Sequence, residues 1–124
     1  MKDRYRQDVG EAGELAALRF LELKGLRLLL RNYRCRGGEI DIVMMDDATL
    51  VLIEVRLRSD LRYGGAAASV DSRKQGRLAL AARHLLLKKP ELARYRARFD
   101  VMALTPQVGK EMKIEWLRDA FRLA

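Results

Sequence analysis

The sequence predicts an α/β domain in which a helix, three strands, a second helix and two more strands follow one another. Two segments carry apolar residues at helical spacing, and five shorter segments are apolar runs typical of strands. The chain has 124 residues, 49 % of them hydrophobic, which is the usual size of one domain with its own core. We therefore expect a single domain over residues 1–124.

The first helix is predicted over residues 4–24 and ends at Gly25, a residue common just after a helix C-terminus. Its apolar face would contain Leu15, Leu18 and Leu21, widened by Ala12, Ala16, Ala17, Phe20 and Leu23. Glu14 lies four residues before Leu18 and seven before Leu21, so it shares this face. A carboxylate there either extends to a solvated edge or belongs to a site.

Three strands are predicted next, over residues 26–34, 39–46 and 50–58. The first of these is a continuous apolar run that would also suit a helix, but as a strand it continues into an antiparallel meander. Residues 46–49 have the Asp-rich composition of a tight turn between the second and third strands.

The register of this second hairpin places Glu54 opposite Asp41 and Arg56 opposite Glu39. Because side chains alternate between faces, all four would project from one face of the sheet. Opposed Cβ atoms lie roughly 4.5–5.5 Å apart, so the two carboxylates resist simultaneous ionisation unless a cation neutralises them. The opposite face would carry apolar residues for the core, namely Ile40, Ile42, Met44, Val51, Ile53, Val55 and Leu57.

Two interpretations of these acids stay open at this point. They could form a cross-strand salt-bridge cluster with Arg56, or they could bind a divalent metal. Magnesium prefers oxygen ligands and often uses only one or two protein carboxylates, with water and phosphate completing its shell.

The second half of the chain begins with a glycine-rich loop over residues 59–70, which we expect to be either a mobile flap or an ordinary connector. A second helix is predicted to begin after Asp71 or Ser72, good N-cap residues, and to end at Lys89 before Pro90. A polar connection over residues 90–97 follows. Strands are then predicted over residues 98–105 and 112–117, with a short helical turn at 118–123.

The charge balance favours a polyanionic partner. Lys and Arg number 25 against 17 Asp and Glu, a net charge of +8 with a pI near 10.1, which indicates nucleic acid before membrane. Three cations, Arg73, Lys74 and Arg77, lie in or near the first turn of the second helix, where the helix dipole favours anions such as phosphate. No apolar run approaches 18 residues, so we expect a cytosolic protein with no membrane segment.

An ordered set of residues resembles a known family. It comprises Gly13-Glu14 followed by Ala16 or Ala17, Asn32 with Arg34, Gly38-Glu39-Ile40-Asp41, Glu54-Val55 with Arg58, Gly64, Lys74-Gln75, Arg98-Phe99-Asp100-Val101 and Ala120-Phe121. With this set the chain resembles, over nearly its whole length, the YraN-like uncharacterised bacterial proteins, uncharacterised protein family 0102.

The resemblance implies a restriction-endonuclease-like fold with a central mixed β-sheet flanked by helices, in the order αβββαββ. It further implies membership of the PD-(D/E)XK nuclease superfamily, near the archaeal Holliday-junction resolvases. By this resemblance Asp41 and Glu54 would bind Mg²⁺ or Mn²⁺, and Glu14 would be the helix acid of the site. Gln75 matches a position that often borders such sites.

One departure from the family pattern concerns the catalytic lysine, whose place is taken by Arg56. Arginine stays charged and cannot serve well to activate water, although it can stabilise charge on a reacting phosphate. It could equally close a salt bridge and exclude the metal. Lys74 is the nearest lysine that could replace the missing one.

Three functions are therefore weighed. The first is a metal-dependent endonuclease acting on structured or branched DNA, with DNA favoured over RNA. The second is a nucleic-acid-binding module with weak or no turnover, and the third is a partner-binding scaffold. Whether two sites come together in a homodimer stays open. The residues expected to hold the nucleic-acid backbone are Arg34, Arg36, Arg73, Lys74, Gln75 and Arg77.

Overall fold

The computed structural model describes residues 2–57 and 70–122, with side chains from residue 10 onward. The helices are α1 (Lys2–Leu23) and α2 (Ser72–Lys88), and a 3₁₀ turn spans Pro90–Arg94. The strands are β1 (Arg27–Cys35), β2 (Gly38–Asp46), β3 (Thr49–Leu57), β4 (Arg96–Gln107) and β5 (Lys110–Phe121). The loop predicted over residues 59–70 lies outside the described residues, apart from Val70.

The five strands form one mixed sheet in the order β1-β2-β3-β4-β5. Strands β1, β2 and β3 form the predicted antiparallel meander, β4 runs parallel to β3, and β5 is antiparallel to β4. Helix α1 packs on one face and α2 on the other, each over its own apolar cluster. This is the α/β arrangement, a mixed sheet flanked by helices, that is expected of a restriction-endonuclease-like fold.

Helix α1 ends as predicted, but its buried face is narrower than predicted. Gly25 has a φ of 98°, and the N–H of Leu26 donates to the carbonyl of Leu21, which closes the helix end. Leu15 is 38 % exposed and Leu23 is 89 % exposed, so their predicted places in the core are wrong. The spacing of residues identifies the apolar face of a helix, but it cannot show how much of that face the sheet will cover.

Strand β5 extends further than predicted, because the helical turn expected at 118–123 is wrong. The strand continues to Phe121 through a bulge, in which Asp119 has a φ of 49°. The N–H of Asp119 donates to the buried Asp100 carboxylate at 2.9 Å. This bond satisfies the bulged backbone and keeps the chain in the sheet.

Helix α2 begins where the sequence predicted. The Asp71 side chain accepts a hydrogen bond from the N–H of Lys74 at 3.0 Å, which is an N-cap.

Gly38, the first residue of β2, lies directly against helix α2. A Cβ at Gly38 would come within 2.6 Å of the Arg77 carbonyl oxygen and 2.9 Å of the Ala81 nitrogen. The glycine therefore lets the basic first turns of α2 approach the start of β2.

The predicted alternation of side chains in β2 holds from Ile42 onward and fails at Asp41. Ile42 and Met44 pack in the cluster under α1, as Val51 and Ile53 of β3 do. Ile40, which was predicted for the same face, instead packs in the cluster under α2. Ile40 and Ile42 are two residues apart and should share a face of the sheet, but they lie on opposite faces. The alternation of side chains in β2 is therefore interrupted at Asp41.

No helix in the described part of the chain is long and apolar enough to cross a lipid bilayer.

A carboxylate pair between two cavities

The site predicted from the sequence lies where the β2–β3 hairpin opens. The register is the predicted one, with Met45 opposite Leu50 and Ile42 opposite Ile53, and the ladder ends at the latter pair. Beyond this pair the contact with β3 is made by the Asp41 side chain, whose Oδ2 accepts a hydrogen bond from the Val55 N–H at 2.8 Å. Asp41 is thereby held against β3, next to Glu54.

On the α1 side of the sheet the hairpin borders a cavity of about 420 Å³, called here the carboxylate cavity. Its polar lining residues are Glu11, Glu14, Asn32, Arg34, Glu39 and Asp41. Four of these six residues are acids and one is basic, so the cavity attracts cations.

On the α2 side lies a smaller cavity of about 160 Å³, called here the arginine cavity. Its polar lining residues are Glu39, Glu54, Arg56, Lys74 and Arg77. Glu39 lines both cavities. The prediction that Glu39, Asp41, Glu54 and Arg56 project from one face is therefore wrong. Asp41 lines the carboxylate cavity and Glu54 lines the arginine cavity, although the two acids are neighbours at the open end of the hairpin.

Burial raises the pKa of both Asp41 and Glu54. Burial, followed by the nearby Glu54 charge, raises the pKa of Asp41 to about 8, against the lowering effect of the Val55 N–H. Burial also raises the pKa of Glu54, while Arg56 and a side-chain hydrogen bond with Asp41 lower it. Both carboxyl groups therefore hold a proton more readily than they would in water, and a divalent cation bound beside them would favour their ionised forms.

Glu14 faces the same cavity as Asp41 from helix α1. Burial raises its pKa, and the Arg31 guanidinium acts in the opposite direction. The Arg31 Nη2 lies 3.9 Å from one carboxylate oxygen, Oε2. The other oxygen, Oε1, is buried without a hydrogen-bond partner among the described residues. A buried carboxylate oxygen without a donor is a place for a cation or its bound water.

Arg56 forms a loose ion pair rather than a closed one. Its Nη1 lies 3.8 Å from Glu54 Oε1. Its Nε is buried and has no acceptor among the described residues. The Arg56 guanidinium is therefore not saturated by hydrogen bonds, and it lines the arginine cavity together with Lys74.

The other predicted backbone contacts are more scattered. Arg34 pairs with Glu39 at 3.5 Å between Nε and Oε2, with 70 % of its side chain exposed. Arg36 and Arg73 are exposed. Gln75 does not border either cavity. It donates from Nε2 to the Val70 carbonyl at 2.9 Å and so secures the residue that precedes Asp71 and α2.

The donors suit a metal completed by water and substrate rather than one enclosed by protein. In the described segments, no three Asp, Glu, His or Cys side chains are grouped so that they alone would hold a metal ion. The residues that would hold the ion are Asp41 and Glu54, with Glu14 across the carboxylate cavity. A pair of protein carboxylates is a common ligand set for Mg²⁺ at phosphate-processing sites.

Sequence reasoning gave Asn32, Arg31 and Glu11 no role at this site. Asn32 and Glu11 line the carboxylate cavity, and Arg31 pairs with Glu14. Glu11 lies about one helical turn before Glu14, a spacing that could have drawn attention to it. Arg31 and Asn32 gave no such signal, because their positions depend on a local change in β1.

The fold and the site define a class of α/β protein in which a mixed sheet carries a carboxylate pair at the open end of a hairpin. The family model described as uncharacterised protein family UPF0102 matches residues 13–104. The chain belongs to this family.

Relatives from several bacteria confirm this membership over nearly the full chain. A UPF0102 protein from Pseudomonas entomophila strain L48 is 47 % identical over 121 residues, covering 98 % of each chain. Another from Xanthomonas campestris pv. campestris strain B100 is 50 % identical over 118 residues, covering 95 % of this chain and 94 % of the relative. A third, from Nitrosococcus oceani, is 46 % identical over 123 residues, covering 99 % and 98 %.

Proposed function

We propose that this protein is a divalent-metal-dependent endonuclease that hydrolyses phosphodiester bonds in structured or branched DNA. The observation that supports this most is the largely buried carboxyl pair Asp41–Glu54, which lies between a cation-attracting cavity and a basic cavity. Asp41 also accepts the Val55 N–H, but burying two adjacent carboxyl groups destabilises the fold, and a bound cation would offset that cost.

The chain's own residues would divide the work between the two cavities. Asp41, fixed by the Val55 N–H, and Glu54 would hold Mg²⁺ or Mn²⁺, and metal binding would favour the ionised forms of both groups. When bound, the metal would polarise the phosphodiester and lower the pKa of a water molecule. The Arg56 guanidinium, whose side chain is 28 % exposed, would donate to a phosphate oxygen in the arginine cavity, where charge develops during the reaction.

Lys74 is the residue that would replace the motif lysine. It lines the arginine cavity with Arg56 and Glu54, and its backbone N–H is held by the Asp71 cap. A lysine ammonium can orient water as a compact charge, which the planar arginine guanidinium does poorly.

DNA binding would use the basic residues around these cavities. Arg73, Lys74 and Arg77 lie in the first turns of α2, and the first turn of this helix contains no acidic residue. Arg34 and Arg36 extend this surface from the β1–β2 turn. With a net charge of +8, phosphate contacts would dominate the affinity and make it dependent on salt. A cytosolic location is part of this proposal.

A second candidate is a nucleic-acid-binding protein without turnover. The ion pair between Arg56 and Glu54, at 3.8 Å, favours it because this pair competes with a metal for the same carboxylate. The two candidates share DNA binding and differ in cleavage. A partner-binding scaffold, the third function weighed, predicts no salt-dependent DNA binding.

The test is a calorimetric titration of Mn²⁺ into the wild type, Asp41→Asn, Arg56→Lys and the control Glu115→Gln, which removes an exposed acid on β5. Each protein is then incubated with a four-way DNA junction and Mg²⁺. We expect Mn²⁺ binding in the wild type and the control, its loss in Asp41→Asn, and faster cleavage by Arg56→Lys.

Other outcomes select between the candidates. Binding of the junction without metal binding, in both the wild type and Arg56→Lys, would reject the endonuclease and leave the non-cleaving module. Absence of both metal and junction binding would leave the scaffold. Size-exclusion chromatography on the junction complex would show whether two copies act together.

A further inference from the structure

Asn32 has an unusual backbone conformation for a residue in a strand. Its φ is 52°, in the left-handed region, although β1 stays paired with β2 on either side of it. The flanking pairs Arg31–Ile42 and Tyr33–Ile40 place Asn32 opposite Asp41. Asparagine tolerates this conformation better than most residues, but in a strand interior it is uncommon and is often found at functional sites.

Both strands change face at this pair. In β1, Leu30 and Tyr33 both pack in the cluster under α2, although regular alternation would place residues three apart on opposite faces. In β2, Ile40 packs under α2 and Ile42 under α1. Regular alternation from Leu30 would also turn Asn32 toward the α2 face. Instead Asn32 lines the carboxylate cavity on the α1 side, together with Asp41.

The cavity that receives Asn32 is rich in acids. The charged residues lining it are Glu11, Glu14, Glu39 and Asp41, with Arg34 as the one cation among the described lining residues. A neutral carboxamide there adds an oxygen ligand without adding further repulsion between charges. Carboxylate, amide and water oxygens are the ligands that Mg²⁺ and Mn²⁺ accept.

We propose that Asn32 is a further cation-binding residue, whose carboxamide oxygen joins Asp41 in holding a hydrated divalent cation in the carboxylate cavity. This inference rests on the proposed function, since it deepens the same site. The left-handed backbone conformation of Asn32 turns its carboxamide toward the α1 face of the sheet.

The test distinguishes the effect of the Asn32 carboxamide from the effect of the Asn32 backbone conformation. Asn32→Gly keeps a residue suited to the left-handed region and removes the carboxamide, whereas Asn32→Asp keeps the region accessible and restores an oxygen ligand. Asp47→Gly is the matched control, because Asp47 has a φ of 54° at the β2–β3 turn, at the far end of the hairpin from the cavity. Mn²⁺ affinity is measured by calorimetry, and metal-free Tm by thermal unfolding.

We expect Asn32→Gly to keep its metal-free Tm and to bind Mn²⁺ about 10-fold or more weakly, as for other residues that support a metal. Asn32→Asp should bind at least as tightly as the wild type, and Asp47→Gly should bind equally well.

Wild-type affinity in Asn32→Gly, or failure of Asn32→Asp to restore binding, would overturn the role of Asn32 while leaving the proposed function intact. Absence of Mn²⁺ binding in the wild type itself would overturn both.

Discussion

The backbone N–H of Val55 donates to Asp41 Oδ2 at 2.8 Å, at the point where the β2–β3 ladder ends. A side chain thus takes the bond that a strand backbone would otherwise supply. This contact tethers the Asp41 carboxyl to β3 beside Glu54 and orients it without the help of a cation. The hairpin therefore presents a preformed carboxylate pair, which lowers the ordering cost of binding a metal.

The raised pKa of Asp41 predicts a pH-dependent stability. Between its unfolded value near 3.8 and its folded value of about 8, the native state binds one more proton than the unfolded chain. The free energy of unfolding should therefore fall as pH rises through this window and level off above it. Asp41→Asn cannot lose a proton at this position, so its stability should decline less.

Urea unfolding at about pH 5 and about pH 8 measures this difference, since the two values lie near the ends of the window. The stability of Asp41→Asn relative to the wild type should increase with pH. Saturating Mn²⁺ at the higher pH should stabilise the wild type and leave Asp41→Asn unchanged. Parallel pH curves for the two proteins would show that Asp41 is ionised in the native state.

Lys74→Gln should weaken DNA binding uniformly across sequences, because Lys74 lies at the basic start of α2 and lines the arginine cavity. The slope of log K against log salt should become shallower by about 1 unit. Lys88→Gln is the control, since it removes an exposed lysine from the last turn of the same helix. Fluorescence anisotropy over a range of salt concentrations measures both slopes. If Lys74→Gln and Lys88→Gln lost equal amounts of DNA affinity, the lysines would contribute only through the net charge of the protein and not through a contact at the start of α2.

Gly38→Ala should destabilise the protein by about 1–3 kcal/mol, because its Cβ would meet the α2 backbone, which cannot move aside as a flexible side chain could. Gly76→Ala is the control. Gly76 lies in α2, and apart from its chain neighbours and the backbone of its own helix, no described atom lies within 4 Å of the position that an alanine Cβ would take there. Alanine should therefore stabilise the helix by about 0.5–1 kcal/mol. Chemical denaturation gives both values. A Gly38→Ala protein as stable as the wild type would show that α2 can shift away from β2.

Asp100→Ala should cost about 3–5 kcal/mol of stability, because Asp100 is fully buried and its loss leaves charged and polar partners behind. Its carboxylate accepts hydrogen bonds from Arg98 Nε, Trp116 Nε1 and the Asp119 N–H, at 3.0, 3.0 and 2.9 Å. Trp116→Phe removes one hydrogen bond to this carboxylate, and the loss of that bond should cost about 1.5–3 kcal/mol.

Denaturation again measures the Asp100 effect, and Mn²⁺ titration at low temperature provides the contrast. Asp100 lines neither cavity, so a folded Asp100→Ala protein should bind Mn²⁺ like the wild type. If the folded Asp100→Ala protein lost Mn²⁺ affinity, Asp100 on β4 would be needed to keep the metal site intact.

Local patterns in the sequence were sufficient for most of the elements and for the register of the hairpin. The period-two pattern and the Asp-rich turn predicted the hairpin register, with Met45 opposite Leu50, and the Asp71 cap predicted the start of α2. These features depend on residues close together in the chain, and such signals survive in a single sequence. The prediction of Leu23 in the core failed because burial depends on what another element covers.

The sequence by itself determined the order of elements, the register of the β2–β3 hairpin and the basic start of α2. Only the tertiary structure decided which cavity each side chain enters. The left-handed Asn32 and the face change at Asp41 separate Asp41 from Glu54 onto two cavities, and the bulge at Asp119 keeps β5 in the sheet. The physical reason is that a single residue in the left-handed region is locally unfavourable or neutral. It is stabilised by the packing of Tyr33 and Ile40 beneath α2, contacts that no local pattern specifies.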